Sequence, residues 1–230
     1  MADFVAKPLS KIIRVSGLSR DTKEYNNALE ETAKVLEDGG LIGVPTDTIY
    51  GIACLASISN AVKNIYELKG RAESKPLAIC VPTVESISHI CKVSVDNDLL
   101  HDLLPGPVTL VFERSPELNP DLNPTHSKVG IRIPKFSYIQ DLAVICSYPL
   151  ALTSANYSSQ TSSTTVEEFK PLWEKLDLVI DAGRVGTGSK DGSTVVDLST
   201  NGRYQIIRQG CAMENTLAVL RDKYKLLSTD

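Results

Sequence analysis

The stretch LIGVPTDTIYG, residues 41–51, changes from apolar to polar at Pro45. Residues 41–44 are predicted to form a short buried strand, which Pro45 ends because proline has no N–H to donate to a sheet. Before this strand, apolar residues recur at helical spacing, so we predict a helix over residues 22–38 that stops at the glycine pair 39–40. A helix followed by a buried strand with polar residues at its end is typical of proteins whose helices pack on a sheet.

The same alternation continues along the chain. Further strands are predicted at residues 77–81, 108–112, 129–133, 150–153, 178–180, 194–198 and 205–207. Further helices are predicted at residues 60–69, within 83–103, at 137–146, through Trp173, and at 215–226. Helices and strands interleave, whereas the late strands follow one another directly, so we predict an α/β (mixed α+β) fold with a twisted mixed sheet flanked by helices. Since no linker divides the chain, one domain over residues 21–227 is expected after an N-terminal extension of residues 1–20.

Composition narrows the classes of function. The 230 residues carry a net charge of −4, so the chain as a whole has no attraction for nucleic acid. No stretch approaches the roughly 20 apolar residues of a membrane-spanning helix. The five cysteines are widely scattered, and none of them forms a C-x-x-C motif with another. This pattern predicts reduced thiols and a cytoplasmic protein. The basic residues within positions 1–20 also suggest a mitochondrial leader, so a mitochondrial location stays open.

Three cations follow the helix predicted at residues 60–69: Lys69, Arg71 and Lys75. A lysine at the end of a helix is explained by the helix dipole, which favours cations there. That explanation does not cover Arg71 and Lys75, which lie beyond the predicted helix. A triphosphate needs this density of charge, because arginine gives bidentate contacts and lysine a mobile point charge.

Arg132 lies inside the apolar strand VGIRIP, residues 129–134. A half-buried arginine needs an anionic partner, because an unpaired buried charge costs several kcal/mol. The partner is either an internal carboxylate or the carboxylate of a ligand, and the strand pattern alone favours neither.

Small polar residues follow several of the strands. Residues 46–48 and 153–156 are explained either as turns or as groups that orient a small ligand. The glycine-rich loop at residues 183–190 has the outer glycines of a phosphate-binding loop but the wrong order of lysine and serine, so we reject that interpretation. Ser193, just after this loop, is placed to reach a ligand. The histidines have no metal-binding spacing, and no nucleophile elbow or dinucleotide fingerprint is present.

Taken in order, these segments resemble the YrdC family over roughly residues 25–220. The matching motifs are PTDTIYG at 45–51, KGR at 69–71 with KPL at 75–77, LPGPVT at 104–109, GIRIP at 130–134, TSAN at 153–156, GSTVVD at 192–197 and IRQG at 207–210. The resemblance implies a YrdC-like domain with a concave ligand cleft. It also implies an enzyme, a nucleotidyltransferase, that makes threonylcarbamoyl-AMP and pyrophosphate from L-threonine, bicarbonate and ATP.

The resemblance further implies roles for particular residues. Lys69 and Arg71 would be catalytic and bind phosphate. The ATP-binding set would be Arg71, Lys75, Lys128, Ser154, Asn156, Ser162 and Arg208. The threonine-binding set would be Thr48, Arg132 and Ser193, with Arg132 on the carboxylate. Mg²⁺ is expected with ATP, although no protein cage for it is evident.

The partners expected from the resemblance are a downstream complex that transfers the threonylcarbamoyl group to tRNA and a weak contact with tRNA itself. Two other functions compete with it. The first is a non-catalytic module that binds tRNA or double-stranded RNA through the cations of the cleft. The second is an enzyme for a phosphorylated sugar, which would need an acidic cluster where Asp47 stands alone.

Overall fold

A mixed β-sheet runs through the part of the protein that the computed structural model describes, which is residues 11–70, 75–158 and 160–229. Its strands are β1 (Lys11–Arg14), β2 (Ile42–Val44), β3 (Gly51–Leu55), β4 (Ala78–Cys80), β5 (Cys91–Lys92), β6 (Val108–Arg114), β7 (Lys128–Arg132), β8 (Leu150–Ser154), β9 (Leu178–Asp181), β10 (Thr194–Asp197), β11 (Arg203–Arg208) and β12 (Leu227–Ser228). The α-helices are α1 (Lys23–Glu37), α2 (Ser59–Lys69), α3 (Ile87–Ile90), α4 (Asn97–Leu103), α5 (Ser137–Ile145) and α6 (Met213–Leu217). A 3₁₀ segment covers Glu167–Lys175 and a π-helical turn covers Ala218–Lys223.

Parallel and antiparallel pairs are combined in the sheet. The strand order is β1-β9-β2-β3-β8-β4-β7-β6-β10-β11-β12, and β5 pairs with β6. β4 and β7 are parallel and bring Cys80 beside Arg132, while β6 and β10 are parallel and bring Thr109 beside Val195. The pair β3–β8 is antiparallel and brings Gly51 beside Ser154. The predicted mixed sheet with flanking helices is confirmed.

Apolar clusters lie on both faces of the sheet. On one face α1 and α5 pack through side chains such as Leu36 and Leu142, which are fully buried. Between these two helices the hydroxyls of Thr32 and Tyr138 lie 2.8 Å apart, so the buried polar atoms are paired. Burying each leucine stabilises the fold by roughly 1.5–3 kcal/mol. The cluster on the other face includes the buried side chains of α2 and α4.

Helix α1 shows how local sequence fixes an element. The hydroxyl of Thr22 accepts a hydrogen bond from the backbone N–H of Tyr25 at 3.3 Å, which caps the first turn. Gly39, at φ +82°, follows the last turn in a conformation that favours glycine. The predicted helix over residues 22–38 is confirmed.

Four strands were not predicted, namely the two-residue strands β5 and β12 and the longer β1 and β3. β3 is buried at every position, so it has no alternation of apolar and polar residues to reveal it. β1 lies within the segment assigned to an N-terminal extension, yet it pairs with β9 at the edge of the sheet. The sheet therefore begins at Lys11, and a domain boundary at residue 20 stays a prediction. Among the described residues, no helix has the length and apolar character to cross a membrane.

Candidate active site

A cavity of about 610 Å³ lies over the middle strands of the sheet. Residues of seven strands line it: Gly51, Ala78, Thr109, Val111, Lys128, Gly130, Arg132, Leu152, Thr153, Ser154, Val195, Asp197, Ile207 and Arg208. Its size is typical of a small-molecule site. Gly130 lines the cavity without a side chain, and there is no room for one, because a Cβ there would lie 2.9 Å from the methyl carbon of Thr109.

Arg132 is held at the cavity wall by the PTDT segment. Its Nη2 donates hydrogen bonds to Asp47 Oδ1 and Thr48 Oγ1, both at 2.6 Å, and lies 3.3 Å from Thr46 Oγ1. The Arg132 side chain is only 7% exposed and that of Asp47 is 10% exposed. Of the two partners that the strand pattern left open, the structure therefore supplies an internal carboxylate, Asp47.

Asp47 does not use up the donors of Arg132. A guanidinium has five N–H donors, of which Nη2 carries two. Nε is buried without a hydrogen-bond partner, and Nη1 has none among the described residues. Nε is the buried one of the two, and Arg132 lines the cavity, so Nη1 is the donor that can meet a second acceptor, such as a ligand carboxylate.

Arg208 brings a second guanidinium to the same wall. Its Nη2 donates to the backbone oxygen of Ser193 at 2.7 Å and lies 3.3 Å from Ser193 Oγ. Within the described ranges no carboxylate forms a salt bridge with Arg208. Partial burial in the wall, together with the nearby charge of Arg132, lowers the pKa of Arg208. Two like charges side by side indicate a site for an anion.

The hydroxyl of Ser193 is fixed from both sides. Ser193 Oγ lies 2.7 Å from Thr109 Oγ1, and both residues are buried. Gly210 packs so closely on Ser193 that a Cβ there would overlap its backbone. On the other side of the cluster, Gly186 at φ +75° packs on the backbone oxygen of Thr48. Thr48 with Arg132 and Ser193 with Arg208 thus form two hydrogen-bonded pairs, and the charge of Arg132 acts on Arg208. We call these four residues the arginine cluster.

Lys69 lies at the C-terminal end of α2, where it is only 4% exposed. Its Nζ donates to the backbone oxygens of Ser154, at 2.7 Å, and Asn156, and to Asn156 Oδ1 at 3.1 Å. The structure thus brings Lys69, Ser154 and Asn156 together, and Lys75 lines the same cavity. We call these four residues the lysine cluster.

The remaining predicted residues are placed differently. Lys128 lines the cavity but forms a salt bridge with Asp197 at 2.8 Å. Burial raises the pKa of Asp197, but hydrogen bonds from Lys128 and Ser199 outweigh it and hold that pKa below its usual value. Ser162 is half-buried and does not line the cavity. Arg71 lies outside the described residues, so its predicted role has no structural counterpart.

Sequence reasoning missed the acidic and hydroxyl partners of the site. Asp47 and Asp197 each neutralise one cation, and Thr109 positions Ser193. No local signal marks them, because each pair joins distant parts of the chain. Lys69 and Arg132 are buried in the wall, so these cations do not form the open basic patch that an RNA backbone requires.

The model of the Sua5/YciO/YrdC family, whose description is "Telomere recombination", matches residues 34–210. This chain belongs to that family. The finding confirms the resemblance read from the seven motifs. In this family the chain is similar to the human (Homo sapiens) threonylcarbamoyl-AMP synthase, with 51% identity covering 96% of this chain and 83% of that protein. It is 36% identical to a putative threonylcarbamoyl-AMP synthase of Methanocaldococcus jannaschii, covering 76% of this chain and 82% of that one.

Solved structures of the Sua5/YciO/YrdC family share the fold. P. abyssi Sua5 complexed with L-threonine matches with a TM-score of 0.82 and 26% identity, covering 96% of this chain. This chain spans about 62% of the length of that protein. E. coli YciO matches with a TM-score of 0.75 at 21% identity, covering 89% of this chain and 97% of that one, which shows a shared fold.

Proposed function

We propose that this protein is a threonylcarbamoyl-AMP synthase, which joins L-threonine, bicarbonate and ATP and releases pyrophosphate. The proposal is supported by the human relative of that name, which matches nearly the whole chain. It is also supported by the likeness to a family member complexed with L-threonine.

The observation that carries the proposal is the unfinished hydrogen bonding of Arg132. All its hydrogen bonds among the described residues are made by Nη2, which leaves Nη1 without an acceptor, and a second guanidinium lies in the same cluster. The charges of Arg132, Arg208 and Asp47 add to +1, since two cations face one anion. One amino-acid carboxylate would neutralise the group and accept the free donors. The hydroxyl of Ser193, which lines the cavity, is placed to bind the rest of a small polar amino acid. Thr48 does not line the cavity and its hydroxyl accepts from Arg132, so a direct contact of Thr48 with threonine stays a prediction.

The lysine cluster suits the phosphates of ATP. Lys75 is exposed at the cavity, and among the described residues it has no ion-pair partner. Lys69 already has three acceptors, so contact with a phosphate would replace its longest bond, to Asn156 Oδ1 at 3.1 Å. The predicted ATP-binding roles of Arg71, Lys128, Ser154, Asn156, Ser162 and Arg208 stay predictions, although Arg208 lies in the arginine cluster beside Arg132.

The reaction needs positioning and charge stabilisation rather than a protein nucleophile. The amine of threonine bonds to the carbon of bicarbonate, and water leaves to give a carbamate. A carbamate oxygen then bonds to the α-phosphorus of ATP, and the bond to the departing pyrophosphate breaks. The arginine cluster would orient the amino acid, while Lys69 and Lys75 would stabilise phosphoryl charge. In class this is a nucleotidyl transfer.

Mg²⁺ would accompany the triphosphate as its counterion. Within the described ranges, no group of three His, Cys, Asp or Glu side chains is close enough to hold a metal. Oxygens of ATP would therefore supply ligands to the ion, as is usual for Mg²⁺. The activated product would be consumed by a complex that transfers threonylcarbamoyl groups to tRNA, in the cytoplasm or in mitochondria.

The decisive experiment measures pyrophosphate release from ATP by the purified protein. L-threonine and bicarbonate are each left out in turn. We expect release only when both are present. Turnover of ATP without either substrate would point to a nucleotide site with another acceptor, and no turnover together with salt-sensitive tRNA binding would favour the RNA-binding alternative.

A further inference from the structure

Asp47 joins Arg132 of the arginine cluster to the backbone of Lys135 through its two oxygens. Oδ1 accepts from Arg132 Nη2 at 2.6 Å, and Oδ2 accepts from the backbone N–H of Lys135 at 3.0 Å. The carboxylate is thus anchored to the backbone that follows β7, while its other oxygen holds the side chain that ends β7. Neither Asp47 nor Thr48 is among the residues that line the cavity, whereas Arg132 is.

This anchoring fixes which donors of Arg132 remain available. With Nη2 held behind the wall by Asp47 and Thr48, the long arginine side chain has one orientation instead of several. Its unpaired donors are then Nε and Nη1. A ligand that meets a guanidinium already held in place loses less entropy on binding, because that side chain has been ordered beforehand.

The charge of Asp47 also matters for the kind of ligand. Without it, Arg132 and Arg208 would form a site of charge +2, which suits a phosphate as well as a carboxylate. With it, the group retains a single positive charge, which matches one carboxylate. Asp47 therefore opposes the entry of polyphosphate into a cluster that lies in the same cavity as the lysine cluster.

We propose that Asp47 is a positioning residue for amino-acid binding: it holds Arg132 by Nη2 so that Nη1, the donor that is neither buried nor bonded, receives the substrate carboxylate. The inference rests on the proposed function and goes beyond it by assigning a task to a residue that does not line the cavity. Its effect passes through Arg132, so it must disappear when Arg132 is absent.

The test is calorimetric binding of L-threonine and, separately, of ATP to four proteins: wild type, Asp47→Ala, Arg132→Ala and the double variant. We expect Asp47→Ala to weaken threonine binding at least tenfold and to change ATP binding less than twofold. In the Arg132→Ala background, removing Asp47 should cause no further weakening, because contacting residues are non-additive when one acts through the other. An unchanged or tighter affinity for threonine in Asp47→Ala overturns the inference.

Asp47→Asn keeps the test decisive if the alanine variant does not fold. Asparagine can still accept from Arg132 but cannot also accept from Lys135 through its amide nitrogen. We expect an intermediate, roughly threefold, loss of threonine affinity with ATP binding retained. A parallel loss for both ligands would indicate a merely structural role and would overturn the inference.

Asp141→Asn is the matched control. Asp141 is also a carboxylate with two partners, Arg20 and Tyr25, but it lies on α5 and does not line the cavity. Its loss should leave the threonine affinity unchanged. If the wild type itself binds no threonine, the proposed function falls and the inference falls with it. If the wild type binds threonine and Asp47→Ala binds it equally well, the inference alone falls.

Discussion

Lys69 at the end of α2 donates a hydrogen bond to the backbone oxygen of Ser154 at the end of β8 over 2.7 Å. A buried ammonium therefore ties a helix to a strand at the wall of the cavity. Lys75 lines the same cavity but is exposed and has no such ties among the described residues. Both lysines are positively charged, but only Lys69 holds parts of the structure together through hydrogen bonds.

This difference predicts separable effects of two substitutions. Lys69→Ala should lower kcat/KM for ATP and also lower Tm, because three hydrogen bonds to β8 and the turn after it are lost. Lys75→Ala should lower kcat/KM with Tm unchanged. Each loss of transition-state stabilisation should reach about 2–4 kcal/mol, as for a lost oxyanion donor. Lys63→Ala, which removes an exposed lysine on α2, is the control for both assays. Near-normal kcat/KM in both cavity variants would remove the lysine cluster from the ATP site.

Arg132→Lys should separate charge from hydrogen-bond geometry. A lysine keeps the positive charge but lacks the planar fork that pairs with Asp47 and a ligand carboxylate at once. We expect KM for threonine to rise at least tenfold, with KM for ATP changed less than twofold, in a steady-state assay of pyrophosphate release. Equal increases in both KM values would show that the substitution disturbs the whole cavity rather than one end of it.

The Lys128–Asp197 pair predicts a particular dependence of stability on pH. The folded state holds the pKa of Asp197 below its usual value of 3.8. Such a carboxyl adds stability that is complete above the unfolded pKa and is lost as the pH falls toward the folded pKa. Lys128→Met should therefore destabilise by about 1 kcal/mol or less at pH 7, a partly exposed pair being screened by water.

Urea unfolding at several pH values checks this prediction. The gap in unfolding free energy between wild type and Lys128→Met should be largest at neutral pH and should begin to close as the pH falls below about 4. It should be lost only below the lowered folded pKa of Asp197, where the carboxyl is protonated in both states. A gap of constant size down to the acid limit would show that Lys128 stabilises the protein by packing instead of through the charge of Asp197.

The cysteines should differ sharply in reactivity. Four of them are buried, whereas Cys211 is exposed. Burial raises the pKa of Cys80 to about 12, so its thiolate is scarce near neutral pH. A thiol-specific reagent should therefore modify one residue per native chain, and Cys211→Ser should abolish that reaction. Modification of two or more thiols in the native wild type would contradict the buried positions. Because the N–H of Cys211 is bonded to Gly192 at the cavity wall, bound ATP and threonine should slow the reaction.

Some of these features could be predicted from sequence because their signals are local. Helix α1 is indicated by the helical spacing of its apolar residues, by a threonine at its N-terminal cap and by a glycine after its last turn. The cations at Lys69 and Lys75 could be recognised by their density next to a helix end. β3 could not, since a strand buried on both faces resembles any short apolar run.

The pairing of Arg132 shows where sequence reasoning ends. Its position in an apolar strand predicts an anionic partner, yet the choice between Asp47 and a ligand depends on contacts between segments 85 residues apart. The structure gives Nη2 to Asp47 and leaves Nε and Nη1 without a partner in the described protein, so the two alternatives are compatible. The partner of Lys128 could not be predicted from sequence either, because Asp197 is 69 residues away along the chain.

The assembly of the arginine cluster has a consequence for synthesis on the ribosome. Its members come from the PTDT segment, from the end of β7 and from the segment between β10 and the end of β11. Strand β1 likewise cannot pair with the sheet until β9, its parallel neighbour, has been synthesised. A nascent chain therefore has no complete substrate site until Arg208 has emerged from the exit tunnel. The amino acid therefore cannot act as a folding template before Arg208 is made, and the preceding residues depend on their own apolar packing.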